Sequence, residues 1–147
     1  MSGAGSRVRR LGSVLFITLL FAVGSTAHAA QNSLSCHAGQ QARLVAELTF
    51  GRDIGRRFGV GEAAWRRFLD HEVTPRFPDG LTVVSAVGQW RDRLTGKIVR
   101  EPSKLVMIVL PGNPDDQARL DAIAAAYKRL FRQQSVGVIV QPACTAF

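Results

Sequence analysis

LTVVSAVGQWRDRLTGKIVREPSKLVMIVL, residues 81–110, reads as two extended runs joined by a polar connection. Val83, Val84 and Val87 on one side, and Ile98, Val99, Val106, Ile108 and Val109 on the other, supply the β-branched side chains that suit a pleated chain. Between them Asp92-Arg93-Leu94-Thr95-Gly96-Lys97 offers a glycine for a left-handed turn position. The expectation is a hairpin of strands 81–92 and 98–110. Pairing Asp92 with Lys97 sets Trp90 opposite Val99, Gln89 opposite Arg100 and Gly88 opposite Glu101. Pro102 then marks a bulge or an end of pairing. The run 105–110 is apolar without alternation, as in a central strand covered on both faces.

Upstream, Trp65, Phe68, Leu69 and Val73 recur at helical spacing, with Arg66, Arg67 and Asp70 on the other face. Thr74 precedes Pro75, which disfavours the helical conformation at its predecessor, so this helix should stop near Val73. Before it, 51–61 is a glycine-rich connection with no phosphate-loop lysine and no G-x-G-x-x-G order. Residues 44–50 alternate as a first strand, with Ala46, Leu48 and Phe50 on one side and Val45, Glu47 and Thr49 on the other. Downstream, Asp115 and Asp116 offer capping carboxylates to a second helix whose apolar stripe is Leu120, Ile123, Ala124, Tyr127 and Leu130 or Phe131. Residues 135–140 read as a last strand. The order β-α-β-β-α-β predicts a ferredoxin-like α+β sandwich, a four-stranded antiparallel sheet with both helices on one face and the first and third strands in the middle. The second face then carries apolar side chains with no helix over them. A second subunit, a ligand or the terminal segments must cover it. A homodimer through that face, as in a dimeric α+β barrel, is the expected cover.

The beginning of the chain sets the compartment. Arg7, Arg9 and Arg10 lead into an apolar run, 11–23, too short to span a bilayer, followed by the small-x-small pattern Ala27-His28-Ala29. Residues 1–29 read as a signal peptide cut after Ala29, 30–43 as an N-terminal extension and 44–147 as a single α+β domain, with a periplasmic or secreted destination and no permanent membrane anchor. Without its three leader arginines the chain keeps 16 basic and 11 acidic side chains, a net charge of +5. The arginines are interspersed with acids, whereas nucleic-acid binders gather them on one stripe, and export also separates the protein from nucleic acid. Cys36 and Cys144, the two cysteines of the chain, enter an oxidising compartment and are expected to form a disulfide. Neither a redox C-x-x-C nor a zinc ligand set is present, since only His37 and His71 accompany the cysteines. No metal or cofactor signature appears.

The segments Thr49-Phe50-Gly51-Arg52, Trp65-Arg66-Arg67-Phe68-Leu69-Asp70, Val73-Thr74-Pro75-Arg76-Phe77-Pro78-Asp79-Gly80-Leu81-Thr82, Gly88-Gln89-Trp90-Arg91, Ile98-Val99-Arg100-Glu101-Pro102-Ser103-Lys104 and Ala125-Tyr127 resemble the exported bacterial family called domain of unknown function 3574. The resemblance runs from about Leu48 to Phe147. It implies a small secreted α+β domain with a terminal cysteine in Pro142-Ala143-Cys144, and it implies no activity. Where such proteins often carry a serine or similar cap before the first helix, this chain has Val60-Gly61.

Three groups of residues can carry chemistry. Glu47 sits on a central strand facing away from the helices, where a partly desolvated carboxylate would act as a general base; an ion pair with an arginine such as Arg43 is the structural alternative. Gln89, Trp90 and Arg91 with Arg100 and Glu101 place arginines and an indole on adjoining strands, suited to gripping an anionic or aromatic ligand, or to a cross-strand polar ladder. Arg52 and Asp53, with Arg76, form a third candidate anion site. The leading expectation is an exported binding module for a small anionic ligand or an envelope component. A cofactor-free enzyme with Glu47 as base is the alternative from another class, and a structural envelope protein is the third.

Overall fold

The computed structural model describes residues 34–54, 57–93 and 95–147. The expected signal peptide, its expected cleavage point and residues 30–33 lie outside the described residues. Along Ser33–Phe147, one unit, the elements are β1 (Gln41–Gly51), β2 (Asp53–Ile54), β3 (Arg57–Phe58), α1 (Glu62–Phe68), β4 (Thr82–Arg91), β5 (Ile98–Val109), α2 (Asp116–Phe131) and β6 (Gly137–Thr145). The long strands form one antiparallel sheet in the order β4-β5-β1-β6. The ferredoxin-like arrangement is therefore the fold, with the first and third long strands central.

One phase of each strand meets the helices. Ala46, Leu48 and Phe50 of β1 and Val106 and Ile108 of β5 are buried against Trp65 and Phe68 of α1 and Leu120, Ile123 and Tyr127 of α2. Phe50 lies at the centre of this layer, edge-on to Trp65 at 5.3 Å, Phe68 at 5.6 Å and Tyr127 at 4.7 Å between ring centroids. Such edge-to-face pairs add to the area they bury. The Tyr127 hydroxyl donates to the Gly51 carbonyl at 2.8 Å, so its polar end is satisfied. Burial pushes this phenol well above its ordinary range; the nearby Arg52 charge opposes the shift and Glu101 adds to it.

The β4–β5 register is the expected one, with Trp90 opposite Val99, Gln89 opposite Arg100 and Gly88 opposite Glu101. The Asp92 N–H donates to the Lys97 carbonyl at 2.9 Å, and Gly96 takes the left-handed turn position at φ 68°. Pro102 neither bulges nor ends that ladder; it lies opposite Val87. Its carbonyl accepts from the Arg52 N–H, so its ring nitrogen faces β1, where no N–H is available to answer the Arg52 carbonyl. That carbonyl instead accepts from the Gly59 and Val60 N–H groups at 3.1 and 3.0 Å. The proline thus ends the β1–β5 pairing and releases the chain into the small β2–β3 hairpin, a structured element where the sequence promised only a flexible connection.

Other boundaries differ from expectation for identifiable reasons. β1 begins at Gln41 rather than residue 44, because β6 runs on through Pro142 and Cys144 to pair with it. A proline is tolerated there since β6 is an edge strand. Leu69–Val73 continues α1 as a π-helical turn, closed by Thr74 N–H donating to the Leu69 carbonyl at 2.8 Å. Thr74 keeps helical angles despite Pro75. No side chain caps α1, whose first position follows Gly61. Asp116 does not cap α2 either: its Oδ2 accepts from the Gly112 and Asn113 N–H groups, tying down the preceding loop.

Cys36 and Cys144 form the expected disulfide, 108 residues apart in sequence. In the chain-entropy account, closing a loop of that length stabilises the fold by about 4 to 5 kcal/mol. Cys144 lies opposite Ala42, in the strand phase that faces the helices, so the bond draws the N-terminal segment toward the covered side of the sheet.

Candidate functional site

The opposite phase of the strands faces no helix. Val84 (47% exposed) on β4, Met107 (41%) on β5 and Ile139 (54%) on β6 stand on it, with half-buried Leu105 and Val109 between them. The described terminal segment does not cover this face. Leu34 lies instead with Leu44, Leu110 and Pro142 around a shallow cavity of about 320 Å³ on the helix side. The expectation that 105–110 is covered on both faces therefore fails within a single chain: Met107 is open.

Glu47 occupies the expected place, opposite Met107 on one side and Ile139 on the other. It is half-buried and accepts from Gln141 Nε2 at 3.5 Å. Arg43 is not its partner, since that guanidinium donates to the Pro111 carbonyl and to Gln41 Oε1. At the hairpin end of the same face, Trp90 Nε1 donates to Glu101 Oε1 at 3.0 Å, and the Asp53 N–H donates to Glu101 Oε2 at 3.3 Å. The Glu101 carboxylate lies flat on Gly51, where an added Cβ would come within 2.8 Å of it. A Cβ there would displace the Glu101 carboxylate from this position, while the backbone angles of Gly51 place no demand for glycine.

The expected grip of arginine and indole is not formed. Trp90 and Glu101 share the open face, whereas Gln89, Arg91 and Arg100, one residue out of phase, lie on the other side of the hairpin. Arg100 with Lys97 and Asp53 lines a separate cavity of about 260 Å³. The carboxylates in the body of the open face are Glu47 and Glu101, and no arginine or lysine of the described residues stands between them.

Arg52 and Arg76 are also apart. Arg52 Nη1 pairs with Glu62 at 2.7 Å, at the start of α1, while Arg76 Nη1 pairs with Glu72 at 3.0 Å, in its last turn. Ten residues of helix separate the two acids, roughly 15 Å. The structure instead joins Arg52 to a residue that sequence reasoning left inside a motif. Lys104 Nζ contacts Glu62 Oε1 at 3.0 Å and Ser85 Oγ at 2.9 Å. Both cations are buried, yet the shared carboxylate is more than half exposed. The signal was there: Lys104 is in phase with Val106 and Ile108, and Arg52 with Leu48 and Phe50, so both had to point toward the core. The Lys104 hydrogen bond holds the Glu62 carboxyl below its ordinary range, against the opposing effect of desolvation and with help from the Arg52 charge.

Among the described residues no three histidine, cysteine or acidic side chains are grouped to hold a metal ion, and no helix is long and apolar enough to cross a membrane.

Solved structures share this fold. A phage SAM lyase in complex with S-methyl-5'-thioadenosine superposes with a TM-score of 0.57 at 18% identity, covering 78% of this chain and 95% of its own. The same enzyme in its apo state gives 0.55 at 18% identity over 78% and 97%. CutA from Synechococcus elongatus gives 0.48 at 15% identity over 73% and 83%. At such identities the likeness is one of fold. No curated protein sequence matches the chain. A family model described as protein of unknown function, DUF3574, matches residues 45–147, and the chain belongs to that family.

Proposed function

We propose that this protein is an exported, disulfide-tied binding module whose working surface is the open face of its sheet. The observation that carries the reading is the row of exposed apolar side chains Val84, Met107 and Ile139 across a face that no helix covers. Soluble monomers rarely leave such a face without a use. The charged groups in the body of that face are the carboxylates Glu47 and Glu101, so the partner that fits presents apolar side chains together with basic groups, as a segment of an envelope component would. Two copies packed face to face would set these carboxylates against each other, which disfavours that form of homodimer. The disulfide supports an oxidising compartment, and the leader at 1–29 supports export.

The test uses the full disulfide-bonded chain and a helical peptide of leucine and lysine, with a leucine–glutamate peptide as its counterpart. Peroxide oxidation of Met107, read by peptide mass spectrometry, should be slowed by the basic peptide and not by the acidic one. Equal oxidation with and without the basic peptide, or equal protection by both, overturns the reading. Glu47→Gln should weaken the protection.

A second reading is favoured by the cavity beside Lys97 and Arg100. A small anion bound there would make the hairpin, rather than the sheet face, the ligand site. The cofactor-free enzyme reading retains Glu47 as its base, half-buried at the centre of the face.

A further inference from the structure

We infer that the outer edge of β4 pairs with the same strand of a second copy, in antiparallel register centred on Val87, to make one eight-stranded sheet. The inference is independent of what the open face binds, but it extends that reading by joining two open faces into one surface.

The two edges of the sheet are not alike. Because Asp92 bonds to Lys97, the residue just before β5, the even-numbered residues of β4 direct their backbone groups inward. Val83, Ser85, Val87, Gln89 and Arg91 direct theirs to the free edge. That row contains no proline, and Thr82 to Trp90 contains no charge. On β6 the Leu110 N–H to Leu44 carbonyl bond fixes the opposite count, and Pro142 falls on an outward position, where its missing N–H interrupts the row. Edges are ordinarily blunted by proline, charge or a bulge. β6 carries such a device within its row, whereas β4 has a charge only at its last residue, Arg91.

The outer half of β4 also lacks support. β1 pairs with β5 only as far as Ser103, so beyond it Val87–Arg91 and Ile98–Pro102 form a two-stranded ribbon, an arrangement marginal in water by itself. Val87 is 77% exposed on it. The strand is self-complementary about that residue. With Val87 opposite its own copy, Val84 faces Trp90 on the open side, Ser85 faces Gln89 on the helix side, and Ala86 faces Gly88. The exposed valine and indole of each copy thus cover one another. A second copy satisfies every one of these features, which is why it is the partner named.

Sedimentation equilibrium on the full disulfide-bonded chain, over a concentration series, tests the pairing. Val87→Pro removes an outward N–H and leaves every β4–β5 bond in place. It should raise the dimer dissociation constant by at least about tenfold, the equivalent of about 1.4 kcal/mol. Amide exchange supplies the second readout: the Val87 and Gln89 N–H groups should be protected in the dimer and exposed in the Val87→Pro chain. A chain that stays monomeric throughout, a dimer indifferent to Val87→Pro, or a dimer whose Val87 and Gln89 amides exchange freely overturns the inference. None of these results bears on Met107 protection by the basic peptide, so the two readings fail separately.

Discussion

β5 has two sides, and they have different fates. Val106 and Ile108 are closed in by aromatic rings, whereas Met107, between them in sequence, faces solvent. Side chains of similar size and polarity thus belong to a finished interior on one side and to an unfinished surface on the other. Hydrophobic sequence reports that a side chain gains from leaving water; it does not report whether the chain itself provides the cover.

The contrast is breakable, and the largest effect should come from the bond that ties the terminal segment to the covered side. Replacing Cys36 and Cys144 together by serine should lower unfolding free energy by about 4 to 5 kcal/mol, read by denaturant titration. Phe50→Ala, at the centre of the aromatic layer, should cost about 3 to 5 kcal/mol, whereas Ile139→Ala on the open face should cost less than about 1 kcal/mol in the monomer. Equal losses from Phe50→Ala and Ile139→Ala would mean that the open face is covered after all. Tyr127→Phe removes one hydrogen bond to Gly51 and should cost about 1 kcal/mol.

The smallest effects sharpen the comparison at the margin of the covered side. Glu62→Gln takes the shared negative charge away from two buried cations, although Arg52 still donates to the Val60 carbonyl and Lys104 to Ser85 Oγ, while Lys104→Met leaves an exposed carboxylate that water can solvate, so the first substitution should destabilise more than the second. Glu62 also gives a sign for pH. Its folded value lies below the ordinary 4.5, so its contribution is present above that value and lost as pH falls through the depressed folded one. Melting temperature against pH should therefore fall more steeply below about pH 4.5 in the parent chain than in Glu62→Gln.

Much of this was readable in advance. Turn chemistry and β-branched runs fixed the hairpin register to the residue, because the Asp92–Lys97 closure leaves one pairing. The order of the elements and the two cysteines also led to the right fold and bond. The site was less legible because its residues depend on strand phase and on ends. Trp90 and Arg91 are neighbours in sequence and lie on opposite sides of a strand, so a grip that used both could not form. The Arg52–Glu62–Lys104 cluster required knowing where β1 stops, and that follows from a proline missing one N–H on a strand distant in sequence.

The central claim is that the single chain leaves the Met107 face open and that its working environment fills it. Peroxide oxidation of Met107, followed by peptide mass spectrometry, can be compared between purified protein and protein inside the intact cells that make it. The account predicts rapid oxidation in the first and marked protection in the second. Equal rates in both would contradict it.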